Sequence, residues 1–164
     1  MKKLVQMTLV GMMFVSMSLN AQQDTKSFVQ QYKKQDGFTV ITLGKPAITM
    51  VSLFARGKSR EAAQALKNVD ALQILDFEAG CKARAETFNS EALSFINNSR
   101  FDEFIEVVDS DDTVKIFCKT EGETITGLVI LVRSNLDASE QMVCIKGKFD
   151  LDDLLSLNGQ FAKK

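Results

Sequence analysis

The feature that most constrains the fold is a change of hydrophobic period just after Asn98. Before it, apolar side chains recur three and four positions apart, which is typical of one face of a helix. These positions are Cys81, Ala85, Phe88, Ala92, Phe95 and Ile96. After it, apolar and polar residues alternate, which predicts strands. Because the segments between them are short and polar, we expect a four-strand antiparallel meander. The predicted strands are 104–108, 114–119, 125–132 and 142–146.

The first half of the chain alternates helices with two strands, "FTVITL" (38–43) and "LQILDF" (72–77), both rich in β-branched residues. Asp24 or Ser27 can cap the first helix, and Pro46 is expected at the first position of the second. The predicted helices are 24–35, 46–55, 59–68 and 81–98. These patterns predict an α+β fold: a mixed, mainly antiparallel sheet, with two early strands flanked by helices, then the four-strand meander, and helices packed on it.

A last helix is predicted after Asp150, which can cap the segment "LDDLLSL". Phe149 and Leu154 have the spacing of a hydrophobic staple across that cap, and Gly159 can end the helix.

One strand of the meander, "ITGLVILV" (125–132), is apolar at both alternating sets of positions. The first set is Ile125, Val129 and Leu131, and the second is Leu128, Ile130 and Val132. This pattern predicts a central strand with both faces covered. We expect the helices of the domain itself to supply the cover, with a subunit or partner on one face as the alternative.

The first residues predict an export signal with cleavage after Ala21. Lys2 and Lys3 precede an uncharged, largely apolar run that is too short and too diluted by polar residues to span a bilayer. The first Cys is Cys81, so no Cys stands at the cleavage site to carry a lipid. We therefore expect a signal peptide at 1–21, a single domain at 22–164, a periplasmic or secreted location, and neither a membrane span nor a lipid anchor.

The absence of His limits the chemistry of the chain more than any other aspect of its composition. Ser-His-Asp and Cys-His nucleophile systems need an imidazole base, and zinc sites use His and Cys in sets. The net charge of −1 gives no basic footprint for nucleic acid. The sequence therefore predicts no catalytic residue, no cofactor-binding residue and no metal ligand.

Two local patterns invite a binding interpretation and fail its requirements. The segment 109–112 begins like a calcium-binding EF-hand loop, but Val114 stands where that loop needs Gly and Thr120 where it needs Glu. It is predicted to be a polar turn. "LGKP" (43–46) follows a strand and opens a helix but lacks the glycines of phosphate-binding loops, so it is predicted to be a connection.

The three cysteines are Cys81, Cys118 and Cys144. Cys118 is predicted to be a buried core residue, and for Cys81, on the apolar stripe of its helix, a core position is favoured over a reactive thiol. In a simple meander one strand separates Cys118 from Cys144. That places their Cα atoms about 9.5 Å apart, which is too far for a disulfide.

Four segments carry a resemblance to a known family: "VITLGKPAITMVSL", "VDALQILDFE", "TITGLVILVRS" and "CIKGKFDLDDLLSL". Together with the leader they resemble the domain-of-unknown-function family 4252, small exported proteins of Bacteroidetes, over about residues 24–161. The resemblance implies an envelope location in a Gram-negative cell and an unassigned role. It implies no functional residue.

Three functions remain open. The first is a non-enzymatic envelope module that binds a protein or ligand, with an envelope protein or a second copy of the chain as partner. The second is a carboxylate-based hydrolase of envelope polymers, which requires two acids converging in a cleft, one with a raised pKa. The third is a carrier of a small apolar ligand, which requires an internal cavity lined by Phe.

Overall fold

The computed structural model describes residues 24–55, 60–78 and 82–150. The predicted export signal, Cys81 and the helix predicted after Asp150 lie outside these residues. The described elements are α1 (Thr25–Tyr32), β1 (Phe38–Gly44), α2 (Lys45–Ala55), α3 (Arg60–Lys67), β2 (Val69–Phe77), α4 (Lys82–Asn98), β3 (Asp102–Val108), β4 (Asp112–Glu121), β5 (Thr124–Ser134) and β6 (Glu140–Phe149).

The predicted α+β fold is confirmed. The six strands form one sheet in the order β1-β2-β6-β5-β4-β3, so β3 to β6 make the predicted meander and β2 joins it through β6. All five described pairings are antiparallel, and the described part of the sheet therefore has no parallel pair. Strands β1 and β3 are the two edges; β1 carries no charged residue, whereas β3 carries three acids.

Helices α1 and α4 pack on one face of the sheet, which we call the covered face. An aromatic cluster joins them: Phe28 stacks on Phe95 with ring centroids 4.5 Å apart, and Tyr32 meets Phe88 edge-on at 5.2 Å. The Tyr32 hydroxyl also donates a hydrogen bond to the Glu91 carboxylate on α4. The periodic apolar positions predicted for α4 from Ala85 to Ile96 are buried here, because they face this cluster and the sheet.

Helices α2 and α3 pack against one end of the opposite face. Ile48 of α2 lies in a second core cluster with Leu128, Phe149 and Val69. The Lys45 ammonium fixes the start of α2, because it donates to the carbonyl oxygens of Lys67 at 2.8 Å and Val69 at 2.9 Å. The helix therefore begins one residue before the position predicted from proline.

Two details differ from the sequence prediction. Ile125 belongs to the second cluster with Leu128, not to the side of Val129 and Leu131. The physical reason is a register shift between Ile125 and Gly127, because a bulge reverses the alternation of side chains. The strands are also longer than predicted, since their ends carry polar residues that the hydrophobic period does not mark.

Gly147 of β6 lies close to the backbone of Asn68, the residue before β2. A Cβ at this position would overlap the Asn68 carbonyl oxygen and lie 2.6 Å from the Phe149 ring. That carbonyl accepts a hydrogen bond from Lys148 N at 3.0 Å, so it cannot move away without breaking this hydrogen bond.

We expect Gly147→Ala to lower the free energy of unfolding by about 2–3 kcal/mol, because the backbone must shift to make room. Gly44→Ala is the matched control, since the nearest atom to its Cβ is Pro46 Cδ at 3.9 Å. Urea unfolding of both variants measures the difference. Equal midpoints for the two variants would contradict the close approach.

Candidate functional site

The sheet face opposite α1 and α4 carries an unbroken row of aliphatic side chains, one from each strand. The register pairs them in succession across the whole sheet. The row consists of Ile41, Ile74, Val143, Ile130, Ile116 and Ile105. We call it the aliphatic row, and the face that carries it the open face.

Exposure distinguishes the open face from the covered face within the same strands. In β5, Val129 and Leu131 on the covered face are 0% and 6% exposed, whereas Ile130 between them is only half-buried. In β6, Met142 is 0% exposed and its neighbour Val143 is half-buried. The described helices therefore cover one face of these central strands but leave the aliphatic row accessible.

The prediction that the domain's own helices cover both faces of β5 is thus met only in part by the described residues. Helices α2 and α3 reach the end of the open face at Leu128, where the side chains are buried. At Ile130 and Val132, further along the strand, no described helix packs.

A second, mixed row lies beside the aliphatic row. Its apolar part is Val107, Val114 and Val132, and its polar part is Gln141, Asp76 and Thr39. Val107 is 53% exposed at the edge strand. The six strands span about 24 Å across the sheet, and two rows span about 14 Å along the strands. The two rows therefore occupy a footprint of roughly 340 Å² on the sheet.

The strands contribute only acids to the charge of the open face. Asp76 lies in the second row, where the Gln141 side chain donates to it at 3.4 Å. Asp102 lies at the other side of the face, opposite Cys118 in the register. An occupant of the open face would therefore meet aliphatic side chains flanked by negative charge.

A polar pocket lies on the covered face, beyond the end of the aromatic cluster. It has a volume of about 350 Å³ and lies between α4, strands β4 and β5 and the loop from β5 to β6. We call it the Arg133 pocket. Its lining residues are Asn89, Leu93, Thr113, Lys115, Leu131, Arg133, Ser134, Asn135 and Ala138.

Glu140 is buried behind Arg133 and is only 4% exposed. Its Oε1 atom lies 3.4 Å from Arg133 Nε, an ion-pair distance without hydrogen-bond geometry. Burial raises the pKa of Glu140 from 4.5 to about 7, against the lowering effects of the Arg133 charge and a hydrogen bond with Asn89.

Glu140 has the raised pKa that a carboxylate-based hydrolase requires, but no second acid of the described sheet lies beside it. The nearest acid of the meander on the same face by register is Glu106, which is three strands away, or about 14 Å. Glu106 is also held by Lys115 at 2.8 Å. Paired catalytic carboxylates stand about 5–9.5 Å apart, so this pair does not meet the requirement.

The acidic segment 109–112 forms the predicted polar turn. Asp109 Oδ1 accepts hydrogen bonds from the backbone N–H groups of Asp111 and Asp112, both at 2.8 Å. These bonds lower the pKa of Asp109. Within the described ranges, no group of three or more His, Cys, Asp or Glu residues is placed to hold a metal ion.

Cys118 and Cys144 are both buried free thiols, and the predicted burial of Cys118 is confirmed. Strand β5 separates them, and they lie on opposite faces: Cys144 in the first core cluster and Cys118 in the second. Burial raises the pKa of Cys144 to about 12, so its thiol stays protonated at neutral pH.

No helix in the part of the chain that the structure describes is both long and apolar enough to cross a bilayer.

A family model described as a domain of unknown function, DUF4252, matches residues 32–157, well over half of the chain. The chain belongs to the DUF4252 family. The predicted family is thereby confirmed. The matched residues include all six described strands, and with them the open face and the Arg133 pocket. No curated protein and no solved structure matches this DUF4252 chain.

Sequence reasoning missed Glu140, which it assigned to the turn before β6. A signal was present, because Glu140 has the same alternating phase as Met142 and Cys144 and therefore points to the covered face. A charged residue in a buried phase indicates either a paired charge or a shifted pKa. The aliphatic row left no comparable signal, since it depends on register across five strand pairings.

The buried carboxyl of Glu140 predicts a specific dependence of stability on pH. Between pH 4.5 and 7 the folded chain holds a proton on Glu140 that the unfolded chain has released. Stability therefore falls as pH rises through this window, by about 3 kcal/mol in total. Glu140→Gln removes this contribution, so its stability relative to the wild type should increase from pH 4.5 to pH 8.

Urea unfolding of both proteins across this pH range measures the effect. Glu123→Gln, at an exposed position, is the matched control and should leave the pH dependence unchanged. A constant difference between Glu140→Gln and the wild type at all pH values would show that the carboxyl is not perturbed.

Proposed function

We propose that this DUF4252 protein is an exported, non-enzymatic protein-binding module of the Gram-negative cell envelope. The export and the envelope location rest on the cationic, apolar leader and on the family resemblance. The proposed binding surface is the open face. The observation that carries the proposal is the accessible aliphatic row, which crosses the central strands where side chains are normally buried.

The occupant that we propose is an amphipathic helix of another polypeptide. Strands within a sheet have their backbone groups paired, so the open face offers side chains and no hydrogen-bonding edge. Its partner must therefore bind through apolar side chains. The acids Asp76 and Asp102 on the same face favour a helix whose polar flanks carry Lys or Arg.

The size of the open face favours a single helix over a second copy of the chain. A helix with its side chains is about 10–12 Å across, which matches the two accessible rows. A stable interface between folded proteins buries about 800 Å² of accessible surface on each partner, so a second copy would have to contact residues well beyond the two rows.

The two alternative functions, a hydrolase and a carrier of a small apolar ligand, have less support. The hydrolase lacks a second acid near Glu140 among the described strands. A carrier would need a cavity lined by Phe, whereas the rings of Phe28, Phe38, Phe88 and Phe95 pack against one another and Tyr32 with centroids 4.5–5.3 Å apart.

The proposal can be tested by photo-crosslinking in cells. A benzoylphenylalanine at Ile41, the exposed end of the row, should crosslink to a helical segment with aliphatic and basic residues, identified by mass spectrometry. A synthetic peptide of that segment should then bind the purified domain. Ile116→Thr with Ile130→Thr should weaken this binding by about tenfold or more, because apolar contact area is lost while β-branching is kept.

Val108→Thr is the matched control, since Val108 is 64% exposed but pairs with Thr113 on the covered-face side of the edge strand. It should leave the affinity unchanged. The proposal fails if Ile41 crosslinks to residues 151–164 of the same chain, to a second copy of the chain, or to nothing. It also fails if the double variant binds the peptide as tightly as the wild type.

A further inference from the structure

We propose that the Arg133 pocket is a binding site for the carboxylate of a small aliphatic organic acid. The site lies on the covered face and shares no residue with the aliphatic row or the mixed row beside it, so it is independent of the function proposed above.

The charge of the pocket lining is positive. Arg133 and Lys115 both line the cavity, and no acid does. The acids nearest to these cations contact them from outside the lining: Glu140 at Arg133, and Glu106 and Glu103 at Lys115. These contacts hold the two cations in place and offset much of their charge, so the cavity offers cationic hydrogen-bond donors and no lining acid.

The guanidinium of Arg133 has the geometry that carboxylates require. Its Nε atom lies 3.4 Å from Glu140 Oε1, an ion-pair distance without hydrogen-bond geometry. Arg133 lines the cavity, and the two terminal nitrogens of a guanidinium can donate a pair of parallel hydrogen bonds. A planar fork of this kind binds a carboxylate through both oxygens and distinguishes it from other anions or neutral groups.

The rest of the lining fits a short aliphatic body with polar contacts at its end. Leu93, Leu131 and Ala138 supply apolar surface, and Asn89 and Thr113 supply neutral hydrogen-bonding groups. The volume of about 350 Å³ lies at the lower end of the range for small-molecule sites, which favours a small acid.

The loop between β5 and β6, which forms one wall, is held by its own hydrogen bonds. Asn135 N donates to the Asp111 carbonyl oxygen at 2.7 Å, and Ser134 N donates to the Ser139 carbonyl oxygen at 2.9 Å. The Asp137 carboxylate accepts from the backbone and the hydroxyl of Ser139. A wall fixed in this way costs little ordering entropy when a ligand binds.

Glu140 makes binding at this site depend on pH. The groups that face its carboxyl are Arg133 on β5 and Asn89 on α4, with Phe77 opposite on β2. Lys115 and Glu106 lie one row further along the sheet. When Glu140 is neutral, Arg133 loses this anionic partner and attracts a ligand carboxylate more strongly, so affinity should be higher below pH 7 than above it.

Titration of the isotope-labelled domain with hexanoate, followed by NMR, tests the proposal. At pH 6, the amides of Ser134, Asn135 and Ala138 should shift with an apparent Kd of about 1 mM. Hexanamide and hexylammonium, which lack the carboxylate, should not shift them. Acetyl-leucine, which mimics a peptide C-terminus, shows whether the pocket also accepts that source of the same group.

Arg133→Lys keeps the charge beside Glu140 but removes the fork, and it should weaken hexanoate binding about fivefold or more. Arg84→Lys is the matched control on α4, where Arg84 binds Gln35 away from the pocket, and should leave binding unchanged. In the wild type the affinity should fall about three- to tenfold from pH 6 to pH 8, and Glu140→Gln should abolish that dependence.

The site is refuted if hexanoate produces no shifts up to about 50 mM, well beyond the expected Kd. It is also refuted if hexanamide shifts the same amides equally, or if Arg133→Lys binds hexanoate as well as the wild type does. Thr113→Val provides a second variant of the lining, expected to reduce affinity without altering the charge.

Discussion

The position of β6 is the constraint on which the rest of the structure depends. The last described strand lies between β2 and β5, so it joins the early helix-flanked strands to the meander. Its inward side chains Met142 and Cys144 are 0% and 3% exposed and belong to the same core cluster as α1 and α4. Without this strand, the two halves of the sheet have no backbone pairing with each other among the described residues.

This arrangement also explains why the two faces of the sheet differ. Helices α1 and α4 share one face because both contribute rings to the aromatic cluster. Helices α2 and α3 come between β1 and β2 in the chain and cover only the end of the other face, near Leu128 and Phe149. The aliphatic row beyond them and the Arg133 pocket beneath the middle of α4 are two of the surfaces that this division leaves accessible.

Much of the fold could be predicted from local patterns. The three-four spacing from Ala85 to Ile96 gave the buried stripe of α4, and the alternation after Asn98 gave the meander, because both periods follow directly from backbone geometry. The location of β6 between β2 and β5 is a long-range pairing that no local period encodes. The side of Ile125 could not be predicted either, because a bulge of one residue reverses the alternation without leaving a mark in composition. The candidate sites also depend on long-range pairing and could not be predicted from local patterns. The aliphatic row is defined only when the registers of all five strand pairs are known, and Arg133 approaches Glu140 only after β5 and β6 pair.

The two edges of the sheet differ in a way that limits how copies of the chain can associate. Charged side chains on an edge strand oppose pairing with another chain. Strand β3 has Asp102, Glu103 and Glu106, whereas β1 has none. Among the described strands, edge-to-edge pairing is thus opposed at β3 and not at β1, and a pair formed through β1 would expose only acidic edges. Self-association through β1 would therefore end at two molecules, since a fibre needs a receptive edge at both ends of every subunit.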